Sequence, residues 1–113
     1  MAVNIYDTAN QIERELRETS QYTDLKEAYA NVAADQEANT IMTGFQQMQQ
    51  TIYTKQQMGQ EVTEEEVAQA QAISQQMTEN ELTTDLMDKE RTLNQVITDI
   101  NSIIMKPIQE IYQ

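Results

Sequence analysis

Carboxylates are the plentiful reactive groups of this sequence, which has 19 Asp and Glu residues but no His and no Cys. Without His and Cys, the chain cannot form the usual nucleophile–base pairs or a thiolate or imidazole metal site. Any catalysis or metal binding would therefore depend on acidic side chains. The densest group of them is Glu61 with Glu64–Glu66, and carboxylate oxygens of this kind could hold Mg²⁺ or Ca²⁺.

The same acidic group also has a structural interpretation. Thr63 and Glu66 have the spacing of a capping box, in which each side chain accepts a hydrogen bond from the backbone amide of the other. Carboxylates in a first turn also complement the positive end of the helix dipole. The patterns of an EF-hand and of a di-iron bundle are absent. We therefore interpret the group as a helix start, and we predict no catalytic residue, no metal ligand, no cofactor and no enzymatic activity.

Asp88 and Glu90 are the other unusual acidic residues, because they interrupt an apolar stripe near the C-terminal end of the chain. General acid–base chemistry would require two carboxylates whose pKa values are pushed apart in a cleft. A polar interruption of an apolar stripe more often sets register or partner choice. We expect these residues to pair with Lys89 or Arg91, or with an arginine of another helix.

The formal net charge of −12 excludes several partners. An acidic protein repels the phosphates of nucleic acids, so no direct nucleic-acid binding is expected. No apolar run is long enough to span a membrane, and the first residues lack the basic and apolar segments of a secretory signal. These features predict a cytoplasmic protein, and the absence of Cys excludes disulfides.

The composition predicts an all-α fold, because the sequence has only 2 Gly and 1 Pro and no strand-like alternation. Apolar residues recur at spacings of three and four, as on the buried face of a helix. We predict one domain over residues 1–113, formed by about five helices in an extended antiparallel hairpin or bundle. The predicted helices are residues 4–18, 21–34, 36–58, 63–78 and 81–106.

Several residues mark the ends of these helices. Thr19-Ser20 and Asp35 are predicted N-caps, and Gly59 is placed to end the third helix in the left-handed conformation. Pro107 has no amide for the carbonyl of Ile103, so we predict a kink or break near Lys106. One further turn could follow the break.

The apolar stripes are narrow, which resembles a coiled-coil seam more than the broad face of a globular helix. Narrow stripes on long helices leave apolar surface without a partner in the same chain, and self-association is a common way to cover it. We therefore predict a homo-oligomer, a dimer or larger, held together by the last helix. The predicted contact residues are Leu93, Val96, Ile97, Ile100 and Ile104.

Four segments resemble a known family. They are Asn4–Asp7, Leu25–Tyr29, Met58–Val67 and Ile103–Ile108, and together they resemble the YlbF/YmcA-like family of small bacterial helical proteins, most closely its YheA-type branch. The resemblance covers essentially the whole chain.

The resemblance implies an all-helical domain from a Gram-positive-type bacterium that assembles into dimers or higher oligomers. The YlbF and YmcA members act as non-enzymatic partners in a complex that influences RNA processing, competence, sporulation and biofilm formation. They also hold iron–sulfur clusters through cysteines. This sequence has no Cys, so the cluster cannot be carried over.

Two functions from different classes follow. The first is a non-enzymatic, oligomeric helical module that regulates through contacts with proteins. The alternative is a carboxylate-metal or ligand-binding protein that uses the acidic joint between the third and fourth helices, or Asp88 and Glu90. A groove lined by Met that holds unfolded clients is a third option.

Overall fold

The computed structural model describes residues 3–113 of the chain, and within this range it contains five α-helices and no strand. The prediction of an all-α fold is thus confirmed. The helices are α1 (Ile5–Arg17), α2 (Ser20–Ala34), α3 (Gln36–Gln57), α4 (Glu64–Glu79) and α5 (Glu81–Ile111). No helix in this range is both long and apolar enough to cross a membrane.

The helix ends are set by short-range hydrogen bonds. Asn4 caps α1 by accepting from the amide of Asp7, and Asp35 caps α3 by accepting from the amide of Ala38. Thr19 accepts from the amide of Tyr22 in the first turn of α2. Each cap joins residues three apart, so it can be recognised in the sequence. The predicted boundaries of α1 to α4 accordingly lie within one residue of those observed.

The end of α3 is formed by a glycine in the left-handed region. Gly59 has a φ of 70°, and the amides of Gly59 and Gln60 donate to the carbonyls of Gln56 and Lys55 at 3.3 and 2.8 Å. These two bonds form a Schellman motif, which satisfies carbonyls that the helix leaves without a donor. The predicted role of Gly59 is confirmed.

The corner between α4 and α5 is also closed by side chains. Asn80 Oδ1 accepts from the amides of Leu82 and Thr83 at 3.0 and 3.1 Å. The fully buried Thr83 hydroxyl donates to the carbonyl of Met77 at 2.7 Å, and Thr84 donates to the same oxygen at 3.0 Å. Among the described residues, no buried side-chain nitrogen or oxygen at this corner lacks a hydrogen-bond partner, and the two helices are connected by one residue, Asn80.

Of the kink or break predicted near Lys106, the break was wrong. The helix does not break near Lys106 but continues through Pro107 to Ile111. All residues from 101 to 113 are exposed, so water can reach the Ile103 carbonyl that Pro107 leaves without a donor. Solvation of this carbonyl lowers the cost of a proline inside a helix, and the predicted bound of 106 is corrected to 111.

The described chain forms two compact units, residues 28–87 and residues 3–27 with 88–113. In the unit of residues 28–87, α3 packs against α4, and the fully buried side chains include Val32, Met77, Thr83 and Leu86. In the other unit, Leu93 is the one buried residue among those described. That residues 1–113 fold as a single domain stays a prediction.

Candidate interaction surface

The C-terminal part of α5 carries an apolar face that is mostly exposed, with Ile100 half-buried between Ile97 and Ile104. Leu93 is 9% exposed, whereas Ile97 is 39%, Ile104 is 57% and Ile111 is 72% exposed. These residues recur at helical spacing and lie on the same side of α5. Exposed aliphatic residues that cluster on one face mark sites of protein association more often than singly scattered ones. We call this surface the α5 face, comprising Leu93, Ile97, Ile100, Ile104, Ile108 and Ile111.

The five residues predicted for self-association have different environments. Leu93 is buried within its own chain, and Val96 and Ile100 are half-buried. Ile97 and Ile104 are exposed. The chain itself therefore uses Leu93 for packing, and the part of the stripe available to a partner begins near Ile97. That these residues mediate self-association stays a prediction.

The apolar stripe continues beyond Ile104, the last of the predicted contact residues. Because α5 continues through Pro107, the exposed Ile108 and Ile111 lie on the same side of the helix as Ile104. Ile108 follows Ile104 by four residues and Ile111 follows Ile108 by three, so the spacing was visible in the sequence.

The acidic joint between α3 and α4 is occupied by internal contacts. Thr63 and Glu66 form the predicted capping box, with hydrogen bonds of 3.0 and 3.1 Å. The Lys55 ammonium at the end of α3 pairs with Glu66 Oε1. The Lys55 hydrogen bond, and the backbone amide of Thr63 after it, lower the pKa of Glu66 from its ordinary value of 4.5 to about 2.

The acidic joint predicts a specific dependence of stability on pH. Since the pKa of Glu66 is about 2 in the folded chain and near 4.5 in the unfolded chain, ionised Glu66 stabilises the fold fully above about pH 4.5. This contribution is lost as the pH falls towards 2. We expect Glu66→Gln to lower the melting temperature at neutral pH, and the curves of the two proteins to converge near pH 2.

Thermal melts between pH 2 and 7 would measure this difference. Glu65→Gln is the matched control, because Glu65 is an exposed member of the same first turn. This substitution removes the same charge without breaking the capping box. A difference between wild type and Glu66→Gln that is constant across this range would contradict the assigned role of Glu66.

Among residues 3–113, no three acidic side chains converge closely enough to hold a metal ion. At the acidic joint, Glu66 is engaged by Lys55 and Thr63. At the polar interruption of the α5 stripe, Asp88 forms an ion pair with Arg91 at 3.1 Å. Arg91 was one of the partners predicted for it. The geometry in the described part of the chain thus gives the metal-binding alternative no preassembled site.

One groove, of about 920 Å³, was not foreseen from the sequence. It lies in the unit of residues 28–87, where the start of α3, the end of α4 and the start of α5 meet. Acidic residues lie beside apolar ones along its lining, which includes Glu37, Glu79, Glu81, Ile41, Ile73 and Leu82. No sequence motif links these residues, because their proximity results from the packing of α3 on α4.

Comparison with known proteins identifies the family. Residues 5–109 match the sequence model of the family described as control of competence regulator ComK, YlbF/YmcA. The chain belongs to the YlbF/YmcA family. It is 50% identical over 113 residues to a UPF0342 protein of Pediococcus pentosaceus, covering all of this chain and 99% of that protein. The predicted family resemblance is confirmed.

Solved structures show the same fold as this YlbF/YmcA family member. A protein of unknown function (DUF964) from Bacillus stearothermophilus superposes with a TM-score of 0.90 at 27% identity, covering 98% of this chain and 97% of that chain. Bacillus subtilis RicA, solved in complex with RicF, gives a TM-score of 0.70 at 16% identity, with both chains covered completely. The family is described by a regulatory role and not by a reaction.

Proposed function

We propose that this protein is a non-enzymatic helical interaction module that associates with a second copy of itself through the α5 face and acts as a regulatory adaptor. The observation that carries the proposal is the exposure of Ile97, Ile104, Ile108 and Ile111 along one side of a regular helix. Covering such side chains removes apolar surface from water, at about 25 cal/mol per Å².

The unit that contains the α5 face supports the proposal further. Its helix α1 has no buried residue, and Leu93 is the sole buried side chain among the described residues of this unit. In the other unit, several side chains are fully buried. A unit with so little internal core gains stability when a second copy buries its exposed aliphatic residues.

The comparisons add support of a different kind. The family description concerns the control of a regulator, and the RicA neighbour was solved in complex with another protein, RicF. Both fit a protein that works by contact with proteins. We infer an adaptor role for this chain, in which the assembled oligomer presents its remaining surfaces to a protein partner.

Sedimentation velocity over a dilution series tests the proposal. We expect a species of twice the chain mass or larger at micromolar concentration. Ile97→Asp should raise the dissociation constant of this species at least 10-fold and so favour the monomer, because it places a charge in an apolar contact. Ser102→Asp is the matched control, because Ser102 is exposed on the other side of α5. This substitution introduces the same charge into the same helix.

A wild-type chain that stays monomeric up to about 100 µM would contradict the proposal. So would equal masses for Ile97→Asp and wild type. Circular dichroism of each variant separates loss of association from loss of helix.

A further inference from the structure

The α5 face has the same spacing in both directions from Ile104. Ile100 and Ile108 are each four residues from Ile104, and Ile97 and Ile111 are each seven residues from it. All five positions lie within α5, which runs without interruption from Glu81 to Ile111. Reversing the direction of the helix about Ile104 therefore places isoleucine on isoleucine.

The residues that flank this face obey the same symmetry. Ile103 and Met105 adjoin Ile104, and both are exposed. Val96 and Tyr112 are each eight residues from the centre. The apolar character of the face therefore extends to both of its borders in matched pairs, with Asn101 and Pro107 as the pair that departs from the pattern.

A two-fold dimer has a specific requirement. If one residue contacts a second residue across the interface, the second must contact the first in the symmetry-related position. A face that is unchanged on reversal meets this requirement when two helices run antiparallel. We infer that α5 pairs with α5 of a second copy in antiparallel orientation, with Ile104 against the same residue of the partner at the two-fold axis. This inference rests on the proposed function.

The distribution of charge indicates that the occupant is a second copy. Within residues 96–112, the charged residues are Asp99, Lys106 and Glu110. At 100° per residue, they lie roughly 120–160° around the helix from Ile104, away from the α5 face. Two chains that each carry a net charge of −12 can approach through this face without burying a carboxylate, whereas a basic partner would gain nothing from an uncharged surface.

Single cysteines test the arrangement without interference, because the chain has no native Cys. Helix axes about 8–10 Å apart, each with Cα atoms at a radius of about 2.3 Å, bring facing Cα atoms within the range that a disulfide spans. The full-length variants Ile104→Cys, Ile97→Cys, Ile111→Cys and Ser102→Cys would be oxidised with copper phenanthroline at micromolar concentration and separated on non-reducing gels.

We expect Ile104→Cys to form a disulfide-linked dimer by itself. Ile97→Cys and Ile111→Cys should each remain mostly unlinked, but an equimolar mixture of the two should link at least 5-fold more than either alone. Ser102→Cys should stay monomeric on the gel. Efficient self-linking of both Ile97→Cys and Ile111→Cys would indicate parallel helices and overturn the inference.

Sedimentation of the unmodified chain separates this inference from the proposed function. A stable dimer in which none of the α5 cysteines links would overturn the antiparallel pairing and leave self-association intact. A chain that is monomeric throughout would overturn both.

Discussion

Leu86→Ala is expected to lower the free energy of unfolding by about 2–5 kcal/mol, since it removes a large side chain from a fully enclosed site. Leu86 is 1% exposed, and it lies among the buried residues of the unit formed by residues 28–87. The surrounding helices cannot collapse completely into the space, so a cavity cost adds to the lost transfer free energy. Urea titration at one fixed protein concentration would measure the effect, because self-association makes stability depend on concentration.

A matched pair of valines supplies the control for this prediction. Val32 is 1% exposed and Val67 is 44% exposed, and both belong to the same unit. Val32→Ala should cost about 1–3 kcal/mol, because it removes two buried methyl groups. Val67→Ala should change stability by less than about 0.5 kcal/mol, since alanine also has the higher helix propensity. Equal effects of the two substitutions, or a cost below 1 kcal/mol for Leu86→Ala, would show that this core is not the source of stability.

The helices could be predicted well from the sequence because their ends depend on local contacts. The Asp35 cap, the Thr63 capping box and the Gly59 turn each involve residues a few positions apart, and such short-range chemistry is visible in a sequence. The continuation of α5 through Pro107 could not be predicted, because the energetic cost of a proline in a helix depends on its environment. A proline that leaves a carbonyl facing water is tolerated, and exposure of the helix end is a property of the packed structure.

The candidate surface was predictable in its register but not in its extent. The three-and-four spacing of Ile97, Ile100 and Ile104 placed them on one side of a helix, as observed. The spacing gave no information on which part of the stripe the chain covers by itself. Leu93 is buried and Ile104 is not, although both occupy equivalent positions on the stripe. The groove beside α3 and α4 was missed for a similar reason, because it depends on contacts between segments distant in sequence.

Apolar residues at helical spacing have different roles in the two units, forming a core in one and an exposed surface in the other. In residues 28–87, apolar residues of several helices enclose one another, and the result is a core. In the unit that contains residues 88–113, a regular helix presents a row of isoleucines to water. Stability of the first depends on the chain alone, whereas burial in the second depends on concentration and on a partner. Substitutions in the two regions should therefore be distinguishable by the concentration dependence of their effects.

A charge exchange at Ile104 is expected to have the largest effect on assembly. With Ile104 on a two-fold axis, Ile104→Asp places two carboxylates against each other, and Ile104→Lys does the same with two ammonium groups. Each variant alone should be monomeric, with a dissociation constant raised at least 100-fold, or about 2.8 kcal/mol. In an equimolar mixture, the carboxylate and the ammonium face one another, so a heterodimer should return.

Sedimentation velocity of the mixture, with one variant carrying a fluorescent label, would detect the heterodimer. Ser102→Asp mixed with Ser102→Lys is the control, because residue 102 lies on the other side of α5, and this mixture should associate as the wild type does. Restoration in the Ile104 mixture requires that residue 104 of one copy meets residue 104 of the other, which a staggered contact elsewhere on α5 cannot produce. The cysteine pairs at residues 97 and 111 distinguish antiparallel helices from parallel ones. Monomers in that mixture, combined with a dimeric wild type, would place the two-fold axis away from Ile104.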